Sequence, residues 1–147
     1  MKYLNNHFKI ERVSVQNLAK VFGTPSYCYS YNQLKKNIIN FQKSFQSFSP
    51  LICFSVKSNT NIYLIKEIKK FGLGADVVSK GELMLALKAG INPKKIVFSG
   101  VGKTSEELNF AIQKNILLIN AESKSEVKEI DRIASKNKKK VQIGIRL

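Results

Sequence analysis

The residues that could do chemistry begin with one lysine. Leu51-Ile52-Cys53-Phe54-Ser55-Val56-Lys57-Ser58-Asn59 is an apolar, strand-forming run that stops at Lys57 and passes into a polar turn. Side chains alternate along a strand, so Ile52, Phe54 and Val56 share one face, and Leu51, Cys53, Ser55 and Lys57 the other. The second face narrows toward the lysine, which leaves space beside its amine at the carboxyl end of a buried strand. In α/β folds that end is where ligands bind and catalysis takes place. The position also suits a lysine that only ends a strand and points to water. Asp76 lies inside a short apolar strand, where a carboxylate needs a partner. Across the ladder that partner is expected close to Lys57, or else is a helix amide. Glu82 completes Ser79-Lys80-Gly81-Glu82, a capping box that accounts for it without chemistry. Arg146 stands at the mouth of the last strand, as an anion clamp or a chain-end residue. His7 is the sole histidine, so no His-based triad or His-rich metal site can be built. Acid–base work falls to lysine, carboxylates or tyrosine.

The elements that must position these groups follow a steady beat. Residues 1–21 read as irregular, with a short helix near Val15 to Val21. Gly23-Thr24-Pro25 is a turn, Ser26 to Tyr31 a strand, and Asn32 to Phe48 a helix carried by Leu34, Ile38, Phe41 and Phe45. After the strand ending at Lys57, helices alternate with the strands Ala75 to Val78, Ile96 to Phe98, Ile116 to Ile119 and Val141 to Leu147. Ser79-Lys80-Gly81-Glu82, Thr104-Ser105-Glu106-Glu107 and Ser123-Lys124-Ser125-Glu126 read as three capping boxes opening helices. Strand ends recur about every 20 to 26 residues, with one helix in each interval, which implies a parallel sheet. A doubly wound sheet and a (β/α)8 barrel both fit; the short loops and regular period favour the barrel. A whole barrel takes about 200 residues or more, so about five of eight units are expected, as the front part of a larger protein. Gly102-Lys103-Thr104 lacks the earlier glycine of a phosphate loop, since that place is Val97. Thr104 as a helix N-cap suffices there.

Composition removes other classes. The chain has 147 residues and is 44% hydrophobic, enough for one globular domain with a core. No apolar run approaches the roughly 20 residues that span a bilayer, and no secretory signal opens the chain. Cys28 and Cys53 have neither metal-ligand nor disulfide-framework spacing, so a cytoplasmic location is expected. The net charge of +15 invites a nucleic-acid partner. However, the lysines are scattered apart from Lys138-Lys139-Lys140, and no strand interleaves aromatic and basic residues. No nucleic-acid or membrane partner is expected.

Phe54-Ser55-Val56-Lys57-Ser58-Asn59, followed by Leu64-Ile65, Ile68 and Gly72, resembles the pyridoxal-phosphate attachment signature of the fold-type III amino-acid decarboxylases. That family includes the diaminopimelate, ornithine and arginine enzymes. Asp76 to Leu83, Ile96 to Thr104 and Leu117 to Ser123 are similar to the stretches that follow in its diaminopimelate branch. Ser55 departs from the family's usual alanine or proline. The resemblance implies a barrel of the alanine-racemase-like type. Residues 1–31 would be a lead-in whose strand joins a C-terminal β domain absent here, and residues 32–147 an incomplete cofactor-binding barrel. It implies pyridoxal 5'-phosphate carried on Lys57, with Asp76 close by and Glu82 and Arg146 as supporting cofactor-site positions. It implies a homodimer acting on a small amino acid; from the residues themselves, no metal is expected. The leading reaction is conversion of meso-2,6-diaminopimelate to L-lysine and CO2. A sibling decarboxylase acting on ornithine or arginine, or an inactive truncated product, are the alternatives. The family's ring-stacking histidine, glycine-rich phosphate loop and catalytic cysteine are expected beyond Leu147, so the 147-residue chain by itself is expected to be inactive.

Overall fold

The computed structural model describes residues 2–4 and 7–147, which form two units, Met1–Ser49 and Pro50–Leu147. The first unit is more regular than its sequence suggests. Strands β1 (Lys2–Leu4), β2 (His7–Ile10) and β3 (Val13–Ser14) form an antiparallel sheet in that order. Tyr3 pairs with Phe8 in register, and their rings lie 5.1 Å apart. Such short runs offer too few alternating residues to be distinguished from loop by pattern. Helix α1 (Val15–Phe22) falls where expected. Ser26 to Tyr31, expected as a strand, instead runs as irregular backbone into helix α2 (Tyr31–Ser44). The Glu11 carboxylate accepts from the Asn32 and Ser30 donors, and these bonds hold its pKa below the ordinary carboxylate value.

The second unit is built from β-α repeats. Strands β4 (Cys53–Ser55), β5 (Gly74–Val77), β6 (Ile96–Phe98), β7 (Leu118–Ala121) and β8 (Ile143–Ile145) are all parallel and lie in sequence order. A doubly wound sheet reverses strand order at a switch point; this one does not, which selects the barrel between the two candidates. Helices α3 (Ile62–Lys70), α4 (Lys80–Lys88), α5 (Ser105–Gln113) and α6 (Lys124–Lys136) make the crossovers.

Each crossover helix starts on a side-chain cap: Asn61, Ser79, Thr104 and Ser123 accept from backbone N–H groups of the first turn. Only Thr104 and Glu107 close a full capping box. At the other two expected boxes the glutamate reaches one residue further back. Glu82 accepts from the Val78 N–H, and Glu126 from the Glu122 N–H.

The two faces of the sheet differ. Ala75, Val77, Ile96, Phe98, Ile119 and Ala121 are buried and join Leu83, Ala86, Leu108, Ala111, Ile130 and Ile133 of the helices in one apolar core. Their period of two puts the alternate residues on the opposite face. There Ser55, Asp76, Val97, Asn120 and Gly144 are half-buried. That second face carries the polar groups.

Candidate cofactor site at the strand ends

Lys57 does not lie on the strand itself. β4 ends at Ser55, and Val56–Ser58 form a single 3-10 turn in which Val56 is buried and Lys57 exposed. The Ser58 hydroxyl bonds the Ser55 carbonyl at 2.7 Å and tightens that turn. Among the described residues Lys57 makes no hydrogen bond or ion pair. Other cations that follow strands of this sheet are engaged. Lys80 pairs with Glu106, Lys103 with Glu126, and Arg146 with Glu122.

Asp76 is Ser55's register partner on β5. Its partner across the ladder is thus two residues from Lys57, and it is a hydroxyl rather than a helix amide. Its carboxylate is held by two hydroxyls. Ser55 Oγ donates to Oδ2 at 3.2 Å, and Ser99 Oγ donates to Oδ1 at 2.6 Å. Asn120 Nδ2 donates in turn to Ser99 Oγ at 3.0 Å. The members Ser55, Asp76, Ser99 and Asn120 come from four successive β-α units and stand 21, 23 and 21 residues apart. The chain of bonds ends over Gly144, where a Cβ would sit 2.4 Å from Asn120 Oδ1. Gly144 therefore makes room for the carboxamide. Beside Asp76, burial pushes the Cys53 thiol pKa up, and the aspartate's charge adds to the effect.

The remaining expected positions are occupied structurally. Glu82 spends its carboxylate on the Val78 N–H at 3.0 Å, at the N-terminus of α4. Arg146 follows β8 directly; its Nη1 lies 3.5 Å from Glu122 Oε1, and its side chain is 66% exposed. Glu122 Oε1 also accepts from the Gly100 N–H.

Sequence reasoning passed over Ser99, Asn120 and Lys103. The 21-residue recurrence of strand ends was the signal for the first two. In the sequence Lys103 is only the middle of a failed phosphate loop, yet its amine is buried and donates to the Gly100 and Asn120 carbonyls and to Glu126.

The sequence model of the family described as "pyridoxal-dependent decarboxylase, pyridoxal binding domain" matches residues 31–147. The chain is 46% identical over its whole length to a diaminopimelate decarboxylase of Aquifex aeolicus, of which it covers 34%. Among solved structures, the Helicobacter pylori diaminopimelate decarboxylase complexed with L-lysine superposes with a TM-score of 0.87 at 40% identity, covering 90% of this chain and 34% of that one. The corresponding enzyme of M. jannaschii gives 0.96 at 32% identity, covering 99% and 35%. The chain thus spans about a third of the length of the relatives it matches. With five in-order parallel strands, a free amine at their carboxyl ends and this match over residues 31–147, the chain belongs to the pyridoxal-dependent decarboxylases, within their pyridoxal-binding domain.

Proposed function

We propose that the protein carrying this chain decarboxylates meso-2,6-diaminopimelate to L-lysine and CO2, with pyridoxal 5'-phosphate held on Lys57. The observation that carries this is the unpaired Lys57 amine in the turn after β4, the strand whose Ser55 donates to Asp76. The residues present fit the cofactor at that point. An exposed primary amine is available to an aldehyde, and the strand carboxyl ends are where α/β folds bind ligands. When bound, the cofactor supplies an electron sink for the pair left on the substrate's α-carbon as CO2 departs. This chain's part is to anchor and orient. Lys57 provides the attachment atom, and Asp76 provides a fixed negative group on the adjacent strand. Glu82 supports the site by fixing the turn between β5 and α4. Arg146, tethered on one side only, provides a cation for an anionic group at the mouth of β8.

The substrate rests on the kinship. Relatives named diaminopimelate decarboxylase reach 46% and 42% identity, and one solved relative is complexed with L-lysine. The ornithine decarboxylase of Entamoeba histolytica stands at 28%. Homodimerisation and a cytoplasmic location belong to the same reading. The first follows the resemblance; the second agrees with two free cysteines and with the lack, among the described residues, of any helix long and apolar enough to cross a membrane.

Two measurements on the encoded protein test the proposal. Borohydride reduction in the presence of pyridoxal 5'-phosphate should add the cofactor's mass to the peptide containing Lys57, and Lys57→Ala should abolish it. CO2 should be released from meso-2,6-diaminopimelate in preference to ornithine or arginine. A cofactor mass on another lysine would remove Lys57 from its role, and preference for another amino acid would replace the substrate.

A further inference from the structure

The hydrogen-bond chain on the open sheet face has a consequence for Lys57. Asp76 and Ser55 are Cα partners on adjacent parallel strands, and Lys57 follows Ser55 by two residues. A carboxylate and an ammonium on neighbouring strand ends attract one another, and nothing in sequence spacing keeps them apart. Yet the described residues contain no Lys57–Asp76 ion pair. The carboxylate is engaged elsewhere. Ser55 Oγ engages Oδ2 and Ser99 Oγ engages Oδ1. Ser99 is itself oriented, because Asn120 Nδ2 donates to its oxygen and so directs its proton toward Asp76. The carboxamide of Asn120 is seated where Gly144 leaves a gap. The direction of donation is therefore fixed from β7 to β5: amide to hydroxyl to carboxylate. Ser55 adds a second restraint from β4.

We infer that Ser99 and Ser55 are positioning residues which hold the Asp76 carboxylate on the sheet face and keep the Lys57 amine unpaired, so that it is free to take the cofactor. The inference rests on Lys57 as the attachment lysine. In the step concerned, Lys57 Nζ gives up a proton to solvent and attacks the aldehyde carbon of pyridoxal 5'-phosphate. A C=N bond forms, the C=O bond breaks and one water leaves; no oxidant or reductant takes part. An amine engaged with a freed Asp76 must first break that ion pair. Pairs of this exposed kind contribute up to about 1 kcal/mol, which corresponds to a slowing of about two- to fivefold.

The test follows attachment of pyridoxal 5'-phosphate to the apo form of the encoded protein by stopped-flow absorbance, with borohydride trapping and peptide mass to locate the modified lysine. Ser99→Ala and Ser55→Ala should each slow attachment at Lys57 by about two- to fivefold. In the Asp76→Asn background, where no ion pair can form, Ser99→Ala should have no further effect. A purely structural role for Ser99 would not be rescued in this way. If Ser99→Ala is unfolded by circular dichroism, Ser55→Ala and its combination with Asp76→Asn carry the test. Wild-type rates in both serine variants, or slowing that persists with Asp76→Asn, overturn the inference and leave Lys57's role intact. Trapping on a different lysine in the unmodified protein would instead overturn the reading on which it rests.

Discussion

Lys103 Nζ lies 2.8 Å from Glu126 Oε1, with the two side chains only 1% and 10% exposed. The pair joins the loop after β6 to the first turn of α6. The same amine also donates to the Gly100 and Asn120 carbonyls, and the second oxygen of Glu126 takes the Glu122 N–H. All three ammonium donors and both carboxylate oxygens are thus engaged, which is what a buried ion pair requires to repay its desolvation. Removing one member strands the other. Glu126→Ala should lower stability by about 3–5 kcal/mol, measured by urea unfolding. Lys103→Met combined with Glu126→Leu should cost clearly less than Glu126→Ala alone. Equal losses would show that the pair's charges are not the issue.

Gly74 opens β5 at a point where no side chain can be accommodated. A Cβ there would lie 2.1 Å from the Lys95 carbonyl oxygen and 2.8 Å from Cys53 Sγ. The first neighbour is backbone and cannot rotate away. Gly74→Ala should therefore destabilise by about 3 kcal/mol or more. Gly102→Ala meets no neighbour within 4 Å but sits at φ 71°, so its smaller loss comes from backbone strain alone. A comparison of their unfolding midpoints separates the two causes.

Much of this fold could be read from residue types because local and tertiary preferences agree in the second unit. Ser79, Thr104 and Ser123 cap the helices they were expected to cap, and the strand at Ile96–Phe98 has the expected bounds. The misreadings have physical causes. Ser26 to Tyr31 is strand-like in composition, but a strand exists only through pairing, and no partner strand lies among the described residues. Alternation puts Lys57 on the face of Ser55, but alternation fails once the chain leaves the strand for a 3-10 turn. Lys103 escaped notice because a charged residue in a strand-to-helix turn reads as solvated. Its burial depends on Glu126, 23 residues away.

Acid should weaken the contacts that join α5 to α4 and to α6. The Lys80 N–H, then the Thr104 N–H and hydroxyl and the Lys103 charge, lower the Glu107 pKa against a smaller opposing effect of burial. Bonds from Arg132 and Ser105 bring Glu129 down to about 2. In both cases the folded pKa lies below the unfolded one. The associated stability is present above about 4.5 and is lost as pH falls through the folded values. Unfolding free energy should thus decline from pH 5 toward about pH 2. Glu107→Gln should flatten that decline while lowering stability at neutral pH, and Thr104→Ala should cost about 1 kcal/mol as a lost cap. An acid slope unchanged in Glu107→Gln would assign the pH dependence to other carboxylates.

The one dense basic run, Lys138-Lys139-Lys140, has different jobs at its three positions. Lys138 and Lys140 are exposed, whereas Lys139 is half-buried. Its Nζ donates to the Ile112 carbonyl at 3.2 Å and to the Gln113 carbonyl at 2.8 Å. Those carbonyls end α5, where the final turn lacks intrahelical donors and carries the negative end of the helix dipole. A cation there stabilises by about 0.3–1 kcal/mol. Lys139→Met should therefore lower the unfolding free energy by an amount in that range, with the loss shrinking only modestly in high salt because the hydrogen bonds persist. Lys138→Met and Lys140→Met should leave stability within about 0.5 kcal/mol of the parent, as surface changes do. Should all three substitutions cost the same, the run would be acting through net charge, and the carbonyl contacts of Lys139 would carry no special weight.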